Sequence, residues 1–300
     1  MFIKEVFNTM DKLEISSLQD FITIIDKLKH QFSHSKMGMD FFYRGLNDSA
    51  HELLPNIYRE TIDEYTKNTH PTFLALEYEI LCHFIKEASC YISRIEKDDY
   101  LPWLVYAQHF GAPTRLLDFT SNPLVALFFC CKDEQKKDGV VWVLNGTNYQ
   151  QFISQKSEYL KGKKKFSRQQ ILNDILQNIK DKKSPCMEYP CTYLPYYIDQ
   201  RMVAQESRFL IWGSNNSPLG DMVESNNYMV INKQSVRSEC LPDTRFLFKI
   251  TILNSCKRQI TEQLGSMGIN EKSIFPGIDS IGRYTANYYR FSYDDNNLPF

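Results

Sequence analysis

Residues 121–144 read SNPLVALFFCCKDEQKKDGVVWVL, an apolar helical pattern followed almost at once by an apolar strand pattern. Ser121 or Asn122 suits the N-cap of the helix, because a short polar side chain can accept from the first free backbone N–H groups. Pro123 fits the first turn, where its missing N–H costs nothing. Leu124, Leu127, Phe128 and Cys131 then face a core. GVVWVL at 139–144 is a continuous apolar run of strand length, so it reads as a buried strand that returns from the helix.

The other elements are arranged around that pair. Ser17 opens a helical pattern with Leu18, Phe21, Ile22, Ile25 and Leu28 on one face, ending before Gly38. DFFYR at 40–44 reads as a short strand that delivers Arg44 into a turn at Gly45. Residues 72–95 predict a long amphipathic helix on Phe73, Leu76, Ile80, Leu81, Phe84 and Ile85. A shorter helix is expected over 102–110, stopped by Gly111 and Pro113. Residues 161–183 predict an inserted helix with a solvated basic flank. Strands are expected at 208–212, 228–231 and 245–252, a helix capped by Ser255 runs to about residue 267, and a closing helix spans 278–289. Helices fall early and strands late, without βαβ alternation, which makes the fold class α+β with a mixed or antiparallel sheet.

Charge and cysteine usage narrow the function classes. With 35 Lys+Arg against 36 Asp+Glu, the net charge is -1, so no global field draws the chain to nucleic acid or anionic lipid. The first residues contain no apolar run of signal-peptide length, and no run reaches the roughly 18–20 apolar residues of a membrane span. A cytoplasmic protein with reduced thiols and no membrane partner is expected. Cys186 and Cys191 are separated by four residues with no second Cys/His pair following, so no metal site is assigned. The basic group Lys161, Lys163, Lys164, Lys165, Arg168, Lys182 and Lys183 reads first as a solvated face. Tyr149, Phe152 and Tyr159 flank it, which leaves stacking on single-stranded nucleic acid open.

The densest chemistry lies in AQHFGAPTRLLDFTSNPLVA at 107–126. Gln108, His109, Thr114, Arg115, Asp118, Thr120, Ser121 and Asn122 sit there among apolar neighbours, and buried polar groups must find partners or face a ligand. No glycine-rich phosphate loop, HExxH or GxSxG motif occurs. Several of these residues also have structural readings. Arg44 can pair with Asp118 or Asp48, Arg115 can pair with Asp118 to hold the turn after 111–113, and Ser121 and Asn122 can be simple caps. His109 can be an interior histidine held by hydrogen bonds.

FYRG at 42–45, AQHFGAPTRLLDFTSNPLVALFF at 107–129 and RMVAQESRF at 201–209 resemble the FRG domain family, and GINEKSIFP at 268–276 resembles its closing segment. The resemblance divides the chain into an N-terminal helical segment at 1–38 and an FRG domain at 39–300 with a helical insertion at about 150–195. It also implies a bacterial or phage-associated protein.

A second resemblance carries more mechanism. Some ADP-ribosyltransferases place an arginine at the end of an early strand, a Ser-Thr-Ser motif on a later strand before a helix, and a Gln/Glu-x-Glu motif at the start of a late strand. Arg44, Thr120-Ser121 and Gln205-Glu206 follow that order, although the last motif reads QES. The resemblance implies an ADP-ribosyltransferase-like fold and catalytic roles for Arg44, Ser121, Gln205 and Glu206. Arg44, Gln108, His109, Arg115 and Thr120 would then bind NAD as the substrate. The implied protein is a toxin-like or antiphage effector that modifies a protein or nucleic-acid acceptor and is controlled by a regulatory or antitoxin partner. Two alternatives stay open: a non-enzymatic nucleotide or nucleic-acid binding module, and a nucleic-acid hydrolase with His109 as base and Asp118 as its orienter or metal ligand.

Overall fold

Register across one seven-stranded sheet organises the molecule. The computed structural model describes residues 15–32, 41–59, 73–92, 95–96, 99–132, 136–160, 173–175, 177–178, 181, 187–223, 228–231 and 245–294. The strands are β1 (Phe41–Leu46), β2 (Leu116–Thr120), β3 (Gly139–Asn145), β4 (Cys191–Tyr193), β5 (Ser207–Ile211), β6 (Tyr228–Ile231) and β7 (Leu247–Ile252). Their spatial order is β4-β5-β2-β1-β3-β7-β6, and every neighbouring pair is antiparallel except β6 with β7. The expected α+β class with a mixed sheet is therefore what the chain forms.

Helices cover both faces of the sheet. They are α1 (Leu18–Phe32), α2 (Asn56–Arg59), α3 (Phe73–Ala88), α4 (Tyr100–His109), α5 (Pro123–Cys131), α6 (Gly146–Lys156), α7 (Gln200–Ala204), α8 (Leu219–Met222), α9 (Asn254–Ser266), α10 (Glu271–Ile274) and α11 (Ile278–Asp294). The central strands feed both cores by their two-residue alternation: Val140, Trp142 and Leu144 of β3 join one, Val141 and Val143 the other. The first core adds α3, α4 and α6 through Leu81, Ile85, Trp103, Leu104, Tyr149 and Ile153. The second adds α1, α5 and α9 through Phe21, Ile25, Leu127, Phe128, Ile260 and Leu264.

Tight backbone approach explains the FYRG glycine. A Cβ on Gly45 would lie 1.7 Å from the carbonyl oxygen of Ala126, so only glycine lets α5 press against β1. The strand accordingly continues through Gly45 and Leu46, where the sequence reading placed a turn. Other boundaries also move. Ile22 turns outward at 38% exposure while Ile24 takes the core position. The helix expected to reach residue 95 ends at Ala88. The strand expected from residue 245 begins at Leu247. Ser255 does not cap α9; the Asp138 carboxylate accepts from Asn254 N–H instead, at 2.8 Å.

The stretch read as a helical insertion supplies α6 and also the edge strand β4. Tyr149 and Phe152 of α6 are buried in the first core, which removes both as stacking platforms for nucleic acid. The basic group at 161–168 and 182–183 lies outside the described residues, as do Cys186 and Cys240. Cys130, Cys131, Cys191 and Cys256 are buried free thiols, and Cys82 and Cys90 are free as well.

Candidate functional site

The seven strands are unevenly joined. β1 pairs with β3 through six residues and β2 with β5 through five, but β1 and β2 share only Tyr43↔Thr120. Thr120 also pairs with Ser207, so Tyr43, Thr120 and Ser207 form one line across β1, β2 and β5. Beyond that line the two halves of the sheet separate. Arg44 spans the opening: its Nη1 donates to the Asp118 carbonyl at 2.6 Å, satisfying a backbone acceptor that lacks a ladder partner.

On the other side of the line lies Glu206. It joins α7 to β5 with φ +46, the one positive φ at a non-glycine position among the described residues. An L side chain is strained there, so the surrounding contacts must hold it. Ser121 Oγ donates to Glu206 Oε2 at 2.6 Å, Asn122 Nδ2 donates to Oε1 at 3.0 Å, and Ser121 N–H donates to the Glu206 carbonyl at 3.1 Å. Gln205 points elsewhere, its Nε2 donating to the Ile274 carbonyl at 3.2 Å. Of the two neighbours, Glu206 is the one that meets Ser121.

Asn122 does two jobs. Its Oδ1 accepts from Leu124 N–H at 3.0 Å as the N-cap of α5, leaving its amide nitrogen for Glu206. The sequence supported only the first, because capping is a local signal and Glu206 lies 84 positions away. Thr120 is buried, and its Oγ1 accepts from Asn122 N–H at 2.9 Å. That bond gives Thr120 a turn-forming task.

Arg115 is corrected in the same way. It is 2% exposed and bound to Glu77, not Asp118: Nε donates to Glu77 Oε2 at 2.6 Å, Nη2 lies 2.5 Å from the same oxygen, and the backbone N–H donates to Oε1 at 2.9 Å. Nη1 donates to the carbonyls of Trp212 and Gly213 at 3.2 and 3.4 Å. With every guanidinium nitrogen engaged, Arg115 ties α3 to β2 and the end of β5.

The remaining polar groups converge on Asp118. Gln108 relays between two elements, accepting from Thr114 Oγ1 at 2.6 Å and donating to Asp118 Oδ2 at 2.6 Å. Arg44 Nη1 stands 3.9 Å from the same oxygen, and the Asp118 side chain is 52% exposed. Asp48, the other partner considered for Arg44, instead takes Lys137 at 2.7 Å. Burial pushes the Arg44 guanidinium down to about 10; Asp118 pulls it up, and Arg59 adds a further downward push. Burial also lowers Arg59 and Arg201 against the upward pull of Asp118.

His109 pairs with Asp199 rather than Asp118. Its Nε2 lies 2.5 Å from Asp199 Oδ2, and Asp199 Oδ1 accepts from Met202 N–H at 2.9 Å as the N-cap of α7. Burial lowers the His109 imidazole below its usual value, outweighing the Asp199 carboxylate. The pair anchors α7, the element that leads into Gln205 and Glu206.

Comparison with known proteins identifies one domain family, over the N-terminal part of the chain. Neither the curated proteins nor the solved structures contain a match to the chain. The FRG domain model matches residues 39–139. That span holds Arg44, Gln108, His109, Arg115, Thr120 and Ser121, whereas Gln205 and Glu206 lie beyond it. No helix among the described residues is long and apolar enough to cross a membrane. Residues 39–139, a span that takes in β1 and ends at the first residue of β3, are an FRG domain.

Proposed function

We propose that the opening between β1 and β2 is an ADP-ribosyltransferase-like centre that consumes NAD and modifies a macromolecular acceptor, as a toxin-like or antiphage effector in the bacterial cytoplasm. The observation that carries this reading is the Ser121–Glu206 hydrogen bond of 2.6 Å next to the Tyr43, Thr120 and Ser207 line, with Arg44 one residue along β1. Three segments far apart in the chain meet there in the order that the resemblance implies.

Each residue has a definable task. Arg44 presents a rigid fork of donors suited to a diphosphate. Glu206 supplies a carboxylate whose direction Ser121 and Asn122 set, placed to stabilise the positive charge that develops on a ribose as its glycosidic bond breaks. In the balanced step, the bond from ribose C1′ to the nicotinamide nitrogen breaks and neutral nicotinamide leaves with the bonding pair. An acceptor nucleophile bonds to C1′ and releases a proton to Glu206 or solvent. Gln205 holds the Glu206 turn against α10 through the Ile274 carbonyl.

Free nicotinamide, followed with purified protein, NAD and cell extract, tests the reading. Glu206→Gln keeps the size of the side chain and is expected to slow release by about 10²–10³-fold, the loss typical of a single electrostatic contributor. Release at the parental rate from both Glu206→Gln and Arg44→Ala would overturn the proposal. Salt-sensitive retention on RNA or DNA without nicotinamide release would favour the binding module instead.

A further inference from the structure

Gln108 and His109 are neighbours at the end of α4, yet they serve opposite sides of the line formed by Tyr43, Thr120 and Ser207. Successive residues of an α-helix point about 100° apart, so one dipeptide can reach two elements. Gln108 Nε2 donates to Asp118 Oδ2 at 2.6 Å, and the carbonyl of the same Asp118 holds Arg44 Nη1 at 2.6 Å. His109 Nε2 stands 2.5 Å from Asp199 Oδ2. The other oxygen of Asp199 caps α7, the helix that Gln205 and Glu206 directly follow.

Both side chains are held from behind. Thr114 Oγ1 donates to Gln108 Oε1 at 2.6 Å, which turns the amide nitrogen toward Asp118. The His109 ring packs edge-to-face with Phe110 at 5.0 Å, and its side chain is 11% exposed. The backbone is fixed as well. Ala112 N–H donates to the Ala107 carbonyl at 2.8 Å and Gly111 N–H to the Gln108 carbonyl at 3.1 Å, a Schellman closure that Gly111 permits at φ +87. On the far side, Gln205 N–H donates to the Arg201 carbonyl at 2.9 Å and Glu206 N–H to the Val203 carbonyl at 3.0 Å, so a shift of α7 passes to the Glu206 turn. The φ of +46 at Glu206 persists only while its surroundings hold it.

We propose that Gln108 and His109 are positioning residues, a bracket at the end of α4 that sets the distance between the Arg44 fork and the Glu206 carboxylate. Gln108 acts through Asp118 on Arg44, and His109 acts through Asp199 and α7 on Glu206. The bracket stands on these contacts; what the distance serves rests on the transferase reading above. In that reading the Arg44 side governs binding of the diphosphate and the Glu206 side governs the bond-breaking step. The two neighbours therefore divide KM and kcat between them. Loss of either contact moves a group at the centre without touching it, and a displacement of about 1 Å is enough to cost about 10²-fold.

Nicotinamide release from NAD by the full chain with cell extract tests the division. His109→Ala is expected to lower kcat by about 10–100-fold with little change in KM. Gln108→Met, which keeps the length and removes both hydrogen bonds, is expected to raise KM by about tenfold with little change in kcat. His109→Gln, whose amide again donates to Asp199, is expected to recover most of kcat. Asp199→Ser keeps a capping oxygen but falls short of His109, so it is expected to match His109→Ala, and the double variant to lose no more than either alone. Unfolding midpoints show which variants are folded, and Asp199→Ser carries the test if His109→Ala is not. Equal effects on kcat and KM in both single variants, or no recovery in His109→Gln, would overturn the bracket. Hydrogen exchange without NAD reads the contacts apart from the reaction: residues 200–206 are expected to exchange about tenfold faster in His109→Ala and at the parental rate in Gln108→Met, with α5 unchanged in both. Faster exchange in a chain that releases no nicotinamide would leave the bracket standing and remove the transferase; release with parental exchange in His109→Ala would do the opposite.

Discussion

Arg115 and Arg44 come from the two most distinctive motifs of the chain, and burial acts on both, yet their environments push them in opposite directions. For Arg115 burial lowers the guanidinium, but the Glu77 charge, Tyr58 and the Glu77 hydrogen bond outweigh it and hold the group above its ordinary value. For Arg44 burial wins over Asp118, and the group falls to about 10. The first arginine is closed, with a full-time carboxylate at 2.5 Å and two backbone carbonyls. The second is open, with one strong bond to a backbone carbonyl and a half-solvated carboxylate at 3.9 Å. A satisfied arginine holds a fold together, whereas an under-satisfied one stores the capacity to bind an anion.

The largest expected effect falls on the closed site. Glu77→Ala leaves the Arg115 charge buried and unpaired, so urea unfolding is expected to show a loss of about 3–5 kcal/mol. At the open site Arg44→Met removes a costly buried charge and strands the Asp118 carbonyl, so the same measurement is expected to show a net loss of no more than about 1–2 kcal/mol. Equal losses in the two variants would collapse the distinction.

The smallest effect concerns pH and belongs to the open site alone. The folded-state value of His109 lies below that of the unfolded chain, so the unfolded chain takes up a proton first. Stability is expected to be flat above about pH 6.5, where both states are neutral, and to fall as the pH drops from there toward the lowered His109 value. His109→Gln should flatten that decline. An unchanged pH profile would show that burial does not hold the imidazole neutral.

Much of the fold was legible because the signals were local. The Asn122 cap, Pro123 and the apolar helix after them, the stop at Gly111 with φ +87 and the buried strand β3 all appear where their sequences place them. β2 gave no clear alternation, since Leu116, Leu117, Phe119 and Thr120 are all buried and only Asp118 is exposed. β4 is three residues long, too short for any period to show. At the site, Arg44, Ser121 and Glu206 could be named from motif order, but Asn122 was read only as a cap.

Residue type, capping and hydrophobic period were enough to determine the α+β class, the helix–strand return at 121–144 and the segments that carry chemistry, because each acts over a few neighbours along the chain. Partner choice was decided by the tertiary structure. It gave Arg115 to Glu77 across 38 positions, turned Glu206 rather than Gln205 toward Ser121, and set Arg44 on the carbonyl and beside the carboxylate of Asp118. Whether an arginine is satisfied depends on which acceptors the packed sheet and helices bring within about 3 Å, and no spacing within a motif encodes that.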